Sequence, residues 1–117
     1  MYIPTGGQIK IGTVNTRYWM EGEGSPVVLI HGISNSIEHW LLNFQKLAEQ
    51  HRVYALDLIG HGKTDKPLSS SYHLPDLARF VVDFMQTLGI QRAHLVGHSS
   101  GGAIALHMAL NRPALCE

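Results

Sequence analysis

The sequence predicts an α/β fold: a mostly parallel sheet with crossover helices on its faces. Three observations carry that expectation. The aliphatic runs "PVVLI", "RVYALD" and "AHLVG" alternate with segments whose apolar residues recur at helical spacing, which is the order of parallel strands joined by helices. Each run is almost unbroken in apolar residues, as a strand covered on both faces must be. The last run leads straight into Gly97-His98-Ser99-Ser100-Gly101. That is a G-x-S-x-G pattern between a strand and a helix, where small residues let the backbone turn sharply and lift a serine out of the fold.

The elements follow in order. "QIKIGTVNTRYWMEGEG" reads as two short strands joined at Asn15, an N-terminal β-hairpin, because Ile9, Ile11 and Val14 nearly alternate with polar residues. The first buried strand follows Pro26, and "ISNS" after it is a polar loop. From Ser36 to Gln50 the apolar residues Trp40, Phe44, Leu47 and Ala48 recur at helical spacing. "RVYALD" is a second buried strand and runs into the long loop "LIGHGKTDKPLSSS". From Asp76 to Leu88, residues Leu77, Phe80, Val81, Phe84, Met85 and Leu88 form one stripe. Pro75 stands in its first turn and Gly89 at its stop. "AHLVG" is a third buried strand. From Ser100 to Leu110 apolar residues run round the whole circumference, so this helix is expected to be buried. Pro113 ends it.

The bulk properties narrow the function. The chain has 117 residues, 44% apolar and 15% charged, which suits one globular domain, residues 1–117, and excludes a disordered chain. Nine basic residues balance nine acidic ones, and no basic stripe is present, so nucleic acid is not an expected partner. The single cysteine, Cys116, cannot form an internal disulfide. "MYIPTGGQIK" carries no apolar signal region, and "GGAIALHMAL" is too short to span a bilayer. A soluble, cytoplasmic protein with no membrane partner is expected.

Ligands of an open parallel sheet bind beyond the C-terminal strand ends. Three loops leave such ends: "HGISNS", "LIGHGKTD" and "GHSSGG". Ser99 is the candidate nucleophile, and Gly97, His98 and Gly101 shape its turn. An acyl-transfer nucleophile needs donors for the oxyanion. The N–H of Ser100, at a helix N-terminus, is one candidate, and the N–H of Ile33, after His31 and Gly32, is the other. His31 is expected to brace that loop. The pattern requires Ser99 to adopt a positive φ and to be accessible at the crevice.

Two other motifs fail at a position with a physical task. "GHGKT" would need glycine at position 57 to be a phosphate loop, and Asp57 stands there. "GHSSGG" has Ser99 where a dinucleotide fingerprint needs its second glycine. His94 and His98 do not share a helix face, so a metal site is not expected. No cofactor is implied.

"VVLIHG", "DLIGHGKTD" and "LVGHSSGG", in this order and spacing, resemble the N-terminal half of the α/β-hydrolase fold superfamily, from about Gln8 to Pro113. The resemblance implies the strand order 1-2-4-3-5, with further strands added beside the fifth, and no metal or cofactor. It implies acyl-enzyme chemistry at Ser99 on ester, thioester, amide or ketone substrates, because superfamily members with other chemistries use aspartate as nucleophile. The superfamily's triad runs serine, acid, histidine. After Ser99 this sequence offers Glu117 as its last residue and His107 in a helix. The expectation is therefore a truncated serine hydrolase core, inactive alone, whose small apolar acyl substrate binds once the missing half is present. His61, in the facing loop, is the histidine placed to approach the crevice, though local hydrogen bonding is its simpler role. The alternative is a non-catalytic fragment that binds a ligand or partner. In either case the open edge of the fifth strand is expected to pair with a second copy or with the missing half.

Overall fold

The two central strands explain why their sequences lack alternation. In the computed structural model, which describes residues 2–117, β3 (Pro26–Ile30) and β4 (Arg52–Leu56) lie side by side and parallel. Val28, Ile30, Tyr54 and Leu56 enter one core, while Val27, Leu29, Val53 and Ala55 enter another on the opposite face. Successive side chains of a strand point to opposite faces, so a strand between two cores must be apolar at every position.

The sheet has five strands in the order β1-β2-β4-β3-β5, the order that the resemblance implies. Strands β1 (Gly6–Ile11) and β2 (Val14–Glu21) form the N-terminal hairpin, and β2 joins β4 antiparallel. The hairpin turns at Gly12 and Thr13, not at Asn15, which pairs with Lys10 inside the ladder. A two-residue turn that matches strand twist needs positive φ, and Gly12, at φ 62°, supplies it.

Helices cover both faces. Ile37–Trp40 forms a 3-10 turn that passes into α1 (Leu41–Leu47), and Ile37, Trp40 and Phe44 fill the second core. The single helix expected over Ser36–Gln50 is therefore divided and shorter. Its last turn is replaced by a tight reversal in which His51 N–H donates to Leu47 O. α2 (Leu74–Thr87) carries the expected stripe against the first core, with Pro75 in its first turn.

β5 (His94–Gly97) pairs parallel with β3 and is the edge strand. It is less buried than its sequence implies: Val96 remains 40% exposed. With one ladder partner and α1 set over β3 and β4, it has a neighbour on one side only. α3 (Ser100–Asn111) departs from expectation for the same reason. It buries Gly101, Ile104 and Met108, while Leu106 and Leu110 stay 68% and 81% exposed. An all-round apolar helix buries its whole surface only when neighbours surround it, and among the described residues α3 packs on α2, the sheet and the short turn at Pro113–Leu115. The edge is not bare throughout. After a 3-10 turn at Pro113–Leu115, Cys116 makes a parallel bridge to Ala93. Ala93 N–H donates to Leu115 O at 3.0 Å and Glu117 N–H to Ala93 O at 2.9 Å. From His94 onward that side of β5 is unpaired among the described residues.

Candidate active site

The parallel strands β3, β4 and β5 end at one level, Ile30 pairing with both Leu56 and Gly97. Their loops therefore meet over the same edge of the sheet.

Asp57, the residue after β4, organises this edge. Its carboxylate is fully buried. Oδ1 accepts the N–H of Ile37 at 2.7 Å, and Oδ2 accepts Arg17 Nε–H at 2.7 Å and the N–H of Lys63 at 2.9 Å. The far side of the Arg17 guanidinium grips both oxygens of Glu38 at 2.7 Å. Burial works against the Arg17 charge, but the bonds to Glu38 and Asp57 outweigh it and raise its pKa. The bond from Arg17 holds the Glu38 carboxyl down at about 2. Arg17 and Glu38 did not stand out in the sequence, because nothing local in a strand or a helical turn marks a partner dozens of residues away.

His31 is completely buried. Its Nδ1–H donates to Gly32 O at 2.8 Å and its Nε2 accepts the N–H of Leu58 at 3.0 Å. The two bonds fix one neutral tautomer and fasten the loop after β3 to the loop after β4. Burial pushes the imidazole pKa below its usual value, against the opposing bond to Gly32.

Ser99 stands at the junction of β5 and α3. It is exposed, with φ 58° and ψ −119°, the positive φ that its glycine-rich surroundings imply. Such a conformation costs on the order of 1–3 kcal/mol and persists only where the surroundings enforce it. Here they do. A Cβ on Gly97 would lie 2.1 Å from Gly101 O, and one on Gly101 2.1 Å from Ile30 O. These glycines let the first turn of α3 sit directly on the ends of β3 and β5. His98 N–H donates to Ile30 O at 3.1 Å, and Gly101 N–H to His98 O at 2.9 Å.

The loop after β3 faces this turn. Ile33 N–H donates to Ser100 Oγ at 2.7 Å, and Ser34, next along, has φ 65°. Ser100 N–H, in the first turn of α3, has no acceptor among the described residues. The nearby histidines are otherwise engaged. His61 Nδ1–H donates to Ile59 O at 3.0 Å, and its ring lies 5.1 Å from that of His31. The His98 ring stacks on His39 at 4.4 Å. Neither ring bonds Ser99 among the described residues. Beside Ile33 a cleft of about 400 Å³ opens, lined by Pro67, Leu68, Tyr72 and Leu77 with His61 and Lys66. No group of three His, Cys, Asp or Glu side chains comes together among the described residues to hold a metal. No described helix is long and apolar enough to cross a membrane.

The chain is similar to known proteins over most of its length. The dihydrolipoyllysine-residue acetyltransferase component of an acetoin cleaving system from Cupriavidus necator is 42% identical over 86% of this chain and 27% of its own length. The (E)-2-((N-methylformamido)methylene)succinate hydrolase of Acinetobacter baylyi is 33% identical over 86% of this chain and 38% of its own length. A solved meta-cleavage product hydrolase from Pseudomonas fluorescens superposes with a TM-score of 0.92 at 34% identity, over 97% of this chain and 43% of that one. The chain thus spans well under half the length of these relatives. A model of the alpha/beta hydrolase fold matches residues 25–117, and the chain belongs to the alpha/beta hydrolase fold family.

Proposed function

We propose that this chain supplies the nucleophile side of a serine acyl-transfer site. The observation that carries the reading is the strained, exposed Ser99 set beside two backbone donors, Ile33 N–H and the unpartnered Ser100 N–H. Ser99 Oγ attacks an acyl carbonyl, the carbon–oxygen π pair moves onto oxygen, and the two N–H groups hold the oxyanion. The serine proton passes to an imidazole base and from it to the leaving group. Water then releases the acyl group by the same two steps. In this reading the base and its carboxylate partner are supplied from outside residues 1–117, since neither His61 nor His98 bonds Ser99 among the described residues. The apolar cleft beside Ile33 suits a small apolar acyl group.

Two measurements test this. The chain hydrolyses p-nitrophenyl acetate no faster than a Ser99→Ala variant, because the missing base is worth about 10²–10⁴-fold. With a fluorophosphonate and added imidazole, Ser99 gains one phosphonyl group while fluoride leaves and imidazole takes the serine proton. Absence of a Ser99 adduct under those conditions overturns the reading. Labelling at enzyme-like speed without imidazole would instead place a base within these residues, His61 first.

A further inference from the structure

The Ile33 N–H, one of the two oxyanion donors, is already occupied, and its acceptor is the side chain that carries the other donor: Ser100 Oγ, at 2.7 Å. Nothing else among the described residues takes that N–H. Ile33 itself is 64% exposed on a loop, and the next residue, Ser34, has a positive φ. The carbonyl end of the same peptide, Gly32 O, takes His31 Nδ1–H at 2.8 Å and Asn35 N–H at 3.1 Å, which leaves its N–H end to be held from the side of the crevice. The Ser100 hydroxyl holds it by bridging the loop after β3 to the first turn of α3, and it approaches within 3.7 Å of the space above Gly32.

A hydroxyl both accepts and donates. When a charged oxygen takes the Ile33 N–H, Ser100 Oγ loses its donor, and a turn about one side-chain bond lets its O–H donate to the same oxygen. We propose that Ser100 is a positioning residue of the acyl-transfer site through its side chain as well as its backbone. In the empty protein its hydroxyl holds the Ile33 N–H in place, and in the loaded site it adds a third donor. This rests on the reading of Ser99 as nucleophile. No bond is made or broken at Ser100; the hydroxyl only exchanges hydrogen-bond roles.

The test is the imidazole-assisted fluorophosphonate reaction in Ser100→Ala and Ser100→Thr variants, with the adduct counted by mass spectrometry. The Ala variant is expected to label about 3- to 10-fold more slowly, the size of one hydrogen bond. The loss falls in the maximal labelling rate and not in the reagent concentration at half-maximum. The Thr variant keeps the hydroxyl and restores the rate. Hydrogen exchange at the Ile33 amide, measured without reagent, speeds up in the Ala variant and not in the Thr variant. Labelling of the Ala variant at or above the parent rate overturns the proposal, and a faster rate would make the hydroxyl a plug. If the parent chain forms no Ser99 adduct, it is the proposed function that fails, and the amide exchange still decides whether Ser100 holds Ile33.

Discussion

Arg17 Nε lies 2.7 Å from Oδ2 of Asp57, across 40 positions of sequence. The contact joins the hairpin to the loop that follows β4, and the other carboxylate oxygen takes the N–H of Ile37, in the turn after β3. One buried carboxylate therefore sets the relative heights of three segments around the site. Removing one partner of a buried pair leaves an uncompensated charge. Arg17→Ala is expected to lower stability by about 3 kcal/mol, read as the free energy of urea unfolding. A loss under half a kcal/mol would show that the backbone donors to Asp57 suffice without it.

His31 makes stability depend on pH. Its folded-state pKa lies below the usual 6.5 because burial disfavours the cation. The unfolded chain thus takes up the proton first. The stabilisation is complete above about pH 6.5 and declines as pH falls toward the folded value. Glu38, held at about 2 against an ordinary 4.5, adds a second decline between those values. Urea midpoints measured from pH 8 down to pH 3 are expected to fall in both windows. His31→Gln is expected to flatten the upper one, and an unchanged upper slope would assign it to another group.

The two sides of α3 differ in what they support. Ile104 is fully buried and Leu106 is 68% exposed. Ile104→Ala is expected to cost about 2–5 kcal/mol through the cavity it leaves. Leu106→Ser is expected to change unfolding stability by less than about 0.5 kcal/mol. Equal costs for the two would mean that Leu106 is buried in solution.

Among the described residues the edge of β5 beyond Ala93 is open; Val96 of β5 is exposed, as are Leu106 and Leu110 of α3. Trp40 Nε1, on the cleft that Val96 lines, is buried without an acceptor. Unprotected strand edges recruit other chains. The chain is expected to self-associate at micromolar concentration in sedimentation velocity, and Val96→Lys is expected to shift it toward monomer. A stable monomer that binds no hydrophobic dye would remove this expectation.

Much of the fold was legible because burial writes itself into sequence. "PVVLI" and "RVYAL" are continuous because two cores meet on their opposite faces. The stripe of α2 has the period of its helix, and Gly97 and Gly101, on either side of Ser99, announce a turn that residues with a Cβ could not make. Ser99 and the loops around it could be located because the backbone geometry they need is local. What the tertiary structure alone decided is whatever depends on distant partners. Arg17 and Glu38 became part of the site through a carboxylate at position 57. The Ser100 hydroxyl found Ile33 N–H across 67 positions. The apolar character of β5 and α3 was read as burial, yet both are partly exposed. Sequence records the surface a segment is built to cover, and only the packed chain determines how much of that surface has a neighbour.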